Sequence, residues 1–269
     1  MPELPEVETT MRGIEPHVCG QSIERFIVRH HQLRWPVPAE TADMTGRMIQ
    51  SVSRRGKYIL MQLDQGGLIW HLGMSGSMAI QPANTPPQSH EHIEIQMSSG
   101  MSLKYRDPRR FGALLYCADN PLQHRLLLTL GPEPLSDDFN VDYLRDKCSN
   151  KTRSIKSVIM DSHIVTGVGN IYACEALFSA GINPARQAGS ISKKRLFKLV
   201  GKIKNTLKAA ILQGGTTLQD FTQVDGKPGY FSQSLLVYGI TGPCLSCGTQ
   251  IRKQAQNQRS SYFCPKCQT

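Results

Sequence analysis

Tyr58-Ile59-Leu60-Met61-Gln62-Leu63-Asp64-Gln65-Gly66-Gly67-Leu68-Ile69-Trp70-His71-Leu72 is the stretch that decides the first half of the fold. Two apolar runs flank Asp64-Gln65-Gly66-Gly67, which is the signature of a hairpin. Downstream, His92–Met97 alternates apolar and polar residues, Ser98-Ser99-Gly100 turns the chain, and Met101-Ser102-Leu103-Lys104-Tyr105 continues it. Phe111–Cys117 reads as a further strand. Strands recurring from about residue 22 to 117 with turns between them predict an antiparallel sandwich or barrel. Ala79–Ser89, rich in proline and polar residues, reads as a loop. Upstream, Val7, Met11, Ile14 and Val18 fall at spacings of four, three and four, one face of an amphipathic helix over Glu6–His17.

Beyond Gly131-Pro132-Glu133-Pro134-Leu135, a linker by composition, the pattern turns helical. Val141–Cys148, Thr152–Ser162, Asn170–Ala180 and Ser192–Gln213 read as helices. Glycines of Val165-Thr166-Gly167-Val168-Gly169 precede Asn170, a good N-cap, and a glycine turn before a helix start can receive an anion. Thr216–Ser232, with Asp225-Gly226-Lys227-Pro228-Gly229-Tyr230-Phe231, reads as a flexible loop able to fold over a ligand. The fold class is therefore α+β and multidomain.

Charge separates the two halves. Residues 1–144 carry 13 Lys and Arg against 16 Asp and Glu, a net of −3, while residues 145–269 carry 18 against 5, a net of +13. So basic a half points to a polyanion, most simply nucleic acid, over a merely solvated surface. No apolar run approaches the ~18 residues of a membrane helix. The acidic, proline-containing start has no signal-peptide pattern, so a cytoplasmic protein without a membrane partner is expected.

Of eight cysteines, Cys19, Cys117, Cys148 and Cys174 stand alone and read as small buried hydrophobes. Cys244-Leu245-Ser246-Cys247 and Cys264-Pro265-Lys266-Cys267 form two C-x2-C pairs sixteen residues apart. Two such turns present four thiolates to one structural zinc ion, and the absence of a secretion signal disfavours disulfides. Thr249-Gln250-Ile251 and Ser261-Tyr262-Phe263 read as the two strands of the finger.

The chain opens Met1-Pro2-Glu3-Leu4-Pro5-Glu6. The prolines could simply stiffen a terminus. If Met1 is removed, however, the Pro2 nitrogen becomes a secondary amine, and an α-amino group with a pKa of about 7.7–8.0 is partly neutral and nucleophilic near neutral pH. Such an amine forms a Schiff base with an aldehyde-like carbon, with Glu3 beside it to move protons.

With Pro2-Glu3-Leu4-Pro5-Glu6-Val7-Glu8-Thr9 at one end and the four-cysteine finger at the other, the chain resembles the bacterial formamidopyrimidine-DNA glycosylases. Arg55–Tyr58, His71–Gly76, Asp107–Gly112, Gly167–Tyr172 and Gly226–Phe231 carry the resemblance over essentially the whole length. It implies an N-terminal β-sandwich (1–131), a helix-two-turn-helix domain with a lesion-capping loop (132–236) and a zinc finger (237–269), with DNA between them. It further implies a bacterial, nucleoid-associated monomer. The partner would be duplex DNA with 8-oxoguanine or formamidopyrimidines, preferably opposite cytosine, excised and then cut at the abasic site. By the same resemblance Pro2 is the nucleophile, Glu3 the proton source for sugar ring opening, Lys57 the donor for β-elimination and Arg259 for δ-elimination. Lys57 could equally contact a phosphate. His71, His90, Arg109, Lys151, Lys156, Asn170, Tyr238 and Arg259 match the DNA-binding set. Met74, Arg109 and Phe111 match the intercalating set, although spacing alone would place Met74 and Phe111 in a core. No organic cofactor is implied.

Two other readings use the same residues. An endonuclease VIII-like enzyme would remove oxidised pyrimidines by the same amine chemistry. A non-catalytic zinc-finger binder of damaged DNA would have no use for a free Pro2 amine.

Overall fold

Glu3 and Glu6 form a capping box at the start of helix α1 (Leu4–Val18), with Pro5 in its first turn. The helix therefore begins two residues before the apolar periodicity does. In this computed structural model the described residues are 2–218 and 221–269. Met1, whose removal the amine chemistry of Pro2 requires, lies outside them, as do Gln219 and Asp220 of the 216–232 segment.

Eight strands follow: β1 (Ile23–Val28), β2 (Ile49–Arg55), β3 (Tyr58–Leu63), β4 (Gly67–His71), β5 (Ser77–Pro82), β6 (Glu91–Met97), β7 (Met101–Arg106) and β8 (Ala113–Cys117). They form two antiparallel four-stranded sheets, ordered β1-β6-β7-β5 and β2-β3-β4-β8. Ile93, Ile95 and Leu103 of the first sheet share one core with Ile59, Met61 and Trp70 of the second, and Val7, Ile14 and Val18 of α1 join it. Trp70 meets Tyr105 across that core with ring centroids 5.3 Å apart. This is the expected sandwich.

Two strand expectations need correction. Residues 79–82, expected in a loop, belong to β5, whose Ala79 and Ile80 pair with Lys104 and Leu103. As the sheet edge, β5 tolerates its terminal Pro82. Phe111 and Gly112, expected in β8, lie in the loop before it. Several polar positions of β6 and β7 are buried rather than solvated. Glu94 is buried and paired with Arg29, and the buried Lys104 ammonium reaches Thr85 O at 2.6 Å.

The helices are α2 (Arg125–Leu128), α3 (Val141–Cys148), α4 (Ile155–Ile159), α5 (Asn170–Ala180) and α6 (Lys193–Leu212). Helix α4 is shorter than the expected Thr152–Ser162. Ser154 caps it by accepting from Ser157 N–H, and before it Lys151 and Arg153 accept backbone bonds from Gly189 and Ala188. Gly169, not Asn170, is the N-cap of α5, so Asn170 is the first helical residue.

The finger hairpin pairs β9 (Arg252–Gln256) with β10 (Arg259–Phe263). Its turn is Asn257-Gln258, both at positive φ, the conformation of tight two-residue hairpins. The first strand thus lies beyond the expected Thr249–Ile251. Ile251 packs with the knuckles instead, and its N–H donates to Gly242 O. Cys148 and Cys174 are buried as expected, whereas Cys19 and Cys117 are only half-buried.

The chain forms two compact units, Met1–Leu128 with Gln213–Ser232, and Thr129–Leu212 with Gln233–Thr269. No helix among the described residues is long and apolar enough to cross a membrane.

Candidate functional site

In the first unit, Pro2 and Glu3 are buried at the start of α1. The Glu3 carboxylate accepts from the backbone of Glu6, and Glu3 N–H donates to Glu6 Oε2 at 2.7 Å. Glu6, itself 1% exposed, accepts Thr216 N–H at 2.8 Å through its other oxygen. One carboxylate thus fixes both the first turn of α1 and the start of the 216–232 segment. No sequence pattern singles it out, because its second partner is 210 residues away.

Lys57 sits after Gly56 in the β2–β3 turn, where φ is +57°. Its neighbour Tyr58 pairs in register with His71 of β4, and the two rings lie 5.0 Å apart. Burial, followed by the nearby charges of Lys57 and Arg34, lowers the His71 pKa to about 4 against a weaker opposing effect of Asp107. Its Nδ1 accepts Gly73 N–H at 3.1 Å, so the ring is neutral with the proton on Nε2. Between about pH 6.5 and 4 the unfolded chain binds the proton that the fold rejects, so stability falls as pH drops through that window. Ring NMR signals should report the neutral His71 tautomer at pH 5.5. A midpoint near 6.5 would contradict the burial argument.

Asp107, fully buried, organises the neighbouring loop. Its carboxylate accepts from Ser75 Oγ at 2.6 Å, Gly112 N–H at 2.8 Å and Tyr105 OH at 3.1 Å. Ser75 Oγ in turn accepts Arg109 N–H at 3.1 Å, and His90 O accepts Asp107 N–H at 3.0 Å. A Cβ on Gly73 would stand 2.3 Å from Gly112 N, so only glycine lets the two loops meet this closely. The result ties together the three loops that carry Met74, His90, and Arg109 with Phe111. Met74 is 37% exposed and Phe111 47%, so neither sits in the core that spacing alone suggested. The Arg109 guanidinium lies 4.9 Å from the Phe111 ring centroid, a cation–π contact. Asp107 was legible only as part of a motif, not as the hub.

The segment Thr222–Gly226 lines a cavity of about 350 Å³ with Met78, Gln81, Lys104 and Arg106 of β5 and β7. That is within the roughly 300–1,000 Å³ of small-molecule sites. Buried Gln81 Oε1 has no hydrogen-bond partner among the described residues.

In the second unit, the Asn170 side chain donates to Ser260 O at 2.9 Å and reaches Tyr238 OH at 3.5 Å. Its Oδ1 is buried without a partner among the described residues. Lys156 is 2% exposed, with its ammonium 2.6 Å from Ser261 Oγ and 3.2 Å from Ser260 O. It joins α4 to β10 rather than standing at the surface. Lys151 and Arg259 are exposed. Glu175, a lone acid in the apolar run of α5, accepts the N–H groups of Leu236, Val237 and Tyr238 at 2.8–3.0 Å. Burial raises its pKa despite those three bonds. It positions Tyr238, a role the sequence reading missed.

The sulfurs of Cys244, Cys247, Cys264 and Cys267 all lie within 4.8 Å of one another. Cys244 Sγ is 3.9 Å from Cys267 Sγ, and Cys247 Sγ 3.5 Å from Cys264 Sγ. Tetrahedral zinc with bonds of ~2.3 Å requires sulfurs ~3.8 Å apart, so the set fits one structural zinc ion. Gly248, at φ +73°, closes the first knuckle by donating to Cys244 O at 2.8 Å.

Three family models match in order: the formamidopyrimidine-DNA glycosylase N-terminal domain over residues 1–114, its H2TH domain over 130–222, and the zinc finger found in FPG and IleRS over 242–269. Fold and site together define a zinc-finger DNA glycosylase of oxidised-purine repair. The chain is 53% identical over 270 residues to the formamidopyrimidine-DNA glycosylase of Pseudomonas entomophila, covering all of both chains. Its structure superposes on the MutM (Fpg) protein of Thermus thermophilus with a TM-score of 0.88, 36% identity and coverage of 99% and 98%. It superposes on a mutant of the Lactococcus lactis enzyme bound to Fapy-dG-containing DNA with a TM-score of 0.91, 32% identity and full coverage of both. The chain belongs to the formamidopyrimidine-DNA glycosylase family, for which AP-lyase activity is typical.

Proposed function

We propose that this chain excises oxidised purines, chiefly 8-oxoguanine and formamidopyrimidines, through a covalent intermediate on Pro2, acting as a monomer on duplex DNA. The observation that carries this reading is the buried Pro2-Glu3 pair at the capped start of α1, tied down by Glu6. With Met1 removed, the Pro2 amine attacks the anomeric carbon and the base leaves with its bonding electrons. Glu3 delivers the proton that opens the sugar ring, and the nitrogen becomes an iminium. That electron sink acidifies the adjacent carbon, whose deprotonation expels the 3′ phosphate. A second elimination expels the 5′ phosphate. Lys57 serves as proton donor in the first elimination and Arg259 in the second.

A base inside a duplex must be flipped out at a cost of a few kcal/mol. In this reading Met74 and Phe111 are the apolar wedges for the vacated stack and Arg109 bonds the unpaired base opposite; the exposure of Met74 and Phe111 and the Arg109–Phe111 contact support it. The cavity beside Thr222–Gly226 supports a covering role for that loop. His71, His90, Lys151, Asn170 and Tyr238 contact the DNA backbone, and Lys156 holds the finger strand through Ser261. Zinc, when bound, supplies rigidity to the finger and no chemistry to the reaction.

Excision should favour 8-oxoguanine opposite cytosine over thymine glycol in matched duplexes; a preference for thymine glycol would point to the pyrimidine enzyme. Arg109→Ala should lose roughly tenfold or more in discrimination of the opposite base, the worth of one good base contact. Single-turnover rates against all four opposite bases check this, and unchanged ratios would remove the role from Arg109.

A further inference from the structure

Glycine inside a helix is disfavoured relative to alanine, and α1 carries one at Gly13. Its surroundings supply a reason. A Cβ there would stand 2.8 Å from Val224 Cγ2 and 3.0 Å from Val224 Cβ, so the valine occupies the space a side chain would take. Val224 also packs against the sandwich core. The same segment is fixed at its other end to Glu6, through Thr216 N–H at 2.8 Å. Gly215, at φ +83°, backs onto that carboxylate, where a Cβ would come 3.0 Å from Glu6 Oε1.

Glu6 and Gly13 are seven residues apart, about two turns and ~10 Å along the same helix face. Thr216 and Val224 are therefore each seated on the helix whose first turn carries Pro2 and Glu3. Between Val224 and the rest of the loop, Gln223 accepts Gly226 N–H at 2.9 Å and donates its own N–H to Lys227 O at 2.8 Å, so the tip is a closed turn. That tip lines the cavity described above.

We infer that the seat of Val224 on Gly13 is a positioning contact for base excision: it holds the tip in register with the reacting end of α1 while a flipped base is attacked. This rests on the proposed glycosylase reading and adds Gly13 and Val224 as positioning residues that touch neither base nor sugar. An abasic site has no base for the loop to cover, so its incision does not depend on the seat.

The test compares Gly13→Ala, Val224→Ala and the double variant. Gly13→Ala should slow single-turnover excision of 8-oxoguanine at least about fivefold, as small misplacements do, with incision of a preformed abasic site within about twofold of the parent. Its melting temperature should change little, because the helix preference of alanine offsets the displacement of Val224. Val224→Ala, which adds no atom, should show the same split should Gly13→Ala disturb the fold. In the double variant the two effects should not multiply, because both act on one contact. Equal loss of both activities, no loss of base excision, or multiplying effects would each overturn the inference. A parent enzyme that excises no oxidised purine would instead refute the proposed function itself.

Discussion

Protein that retains Met1 should form no covalent complex with damaged duplex and should lose base excision and strand incision together. An amide nitrogen has delocalised its lone pair into the carbonyl, so it cannot attack the anomeric carbon, and no iminium forms to drive either elimination. Removing a nucleophile that acts as part of a unit costs several orders of magnitude, so a loss of roughly 10³-fold or more is expected. DNA affinity should change far less, because the proposed phosphate contacts lie elsewhere in the chain. The measurement is activity of mass-verified Met1-retaining protein beside the processed form. Full activity with Met1 in place would exclude the Pro2 amine.

Removing zinc should have the second largest effect. The finger hairpin has exposed strands, β9 above all, and its small core is built largely from the cysteines with Val237 and Ile251. Structural zinc in such modules supplies about 10–16 kcal/mol of apparent binding free energy, which is also folding free energy. Without it β10 loses its register, and with it the anchorage of Lys156 on Ser261 and of Asn170 on Ser260. Duplex affinity should drop at least about a hundredfold, roughly 2.7 kcal/mol. The sandwich, with its own core of Trp70, Tyr105 and their neighbours, should stay folded. Metal analysis, near-UV dichroism and a binding titration on chelated protein check this together. Unchanged affinity after verified metal loss would detach the finger from DNA binding.

The parts of the fold that were legible in the sequence are those governed by local pattern. The β3–β4 hairpin announces itself through its apolar runs and turn residues, α3 through its amphipathic pattern and α5 through its apolar run after a glycine turn. The errors share a cause. β9 has no apolar alternation because its face is solvent-exposed, and its register is set by the Asn257-Gln258 turn rather than by side-chain pattern. β5 was hidden because its edge position tolerates proline and polar residues. At the site, the cysteine ligands were legible from spacing, since two tight turns fix four sulfurs locally. The Pro2 amine followed from elementary amine chemistry, whereas the elimination roles of Lys57 and Arg259 emerged only by resemblance. Asp107, Glu175 and Glu6 went unnoticed as organisers because each works by accepting hydrogen bonds, mostly backbone N–H, from segments distant in the chain. Such partnerships leave no periodic trace, and a lone acid in an apolar run, as at Glu175, is the one hint available.

The most direct measurement is borohydride trapping on a duplex carrying 8-oxoguanine opposite cytosine, with the adduct mapped by mass spectrometry. The account predicts a covalent complex in which the reduced sugar is joined to the nitrogen of Pro2. Intact DNA binding without an adduct, or an adduct mapped to a lysine, would contradict it.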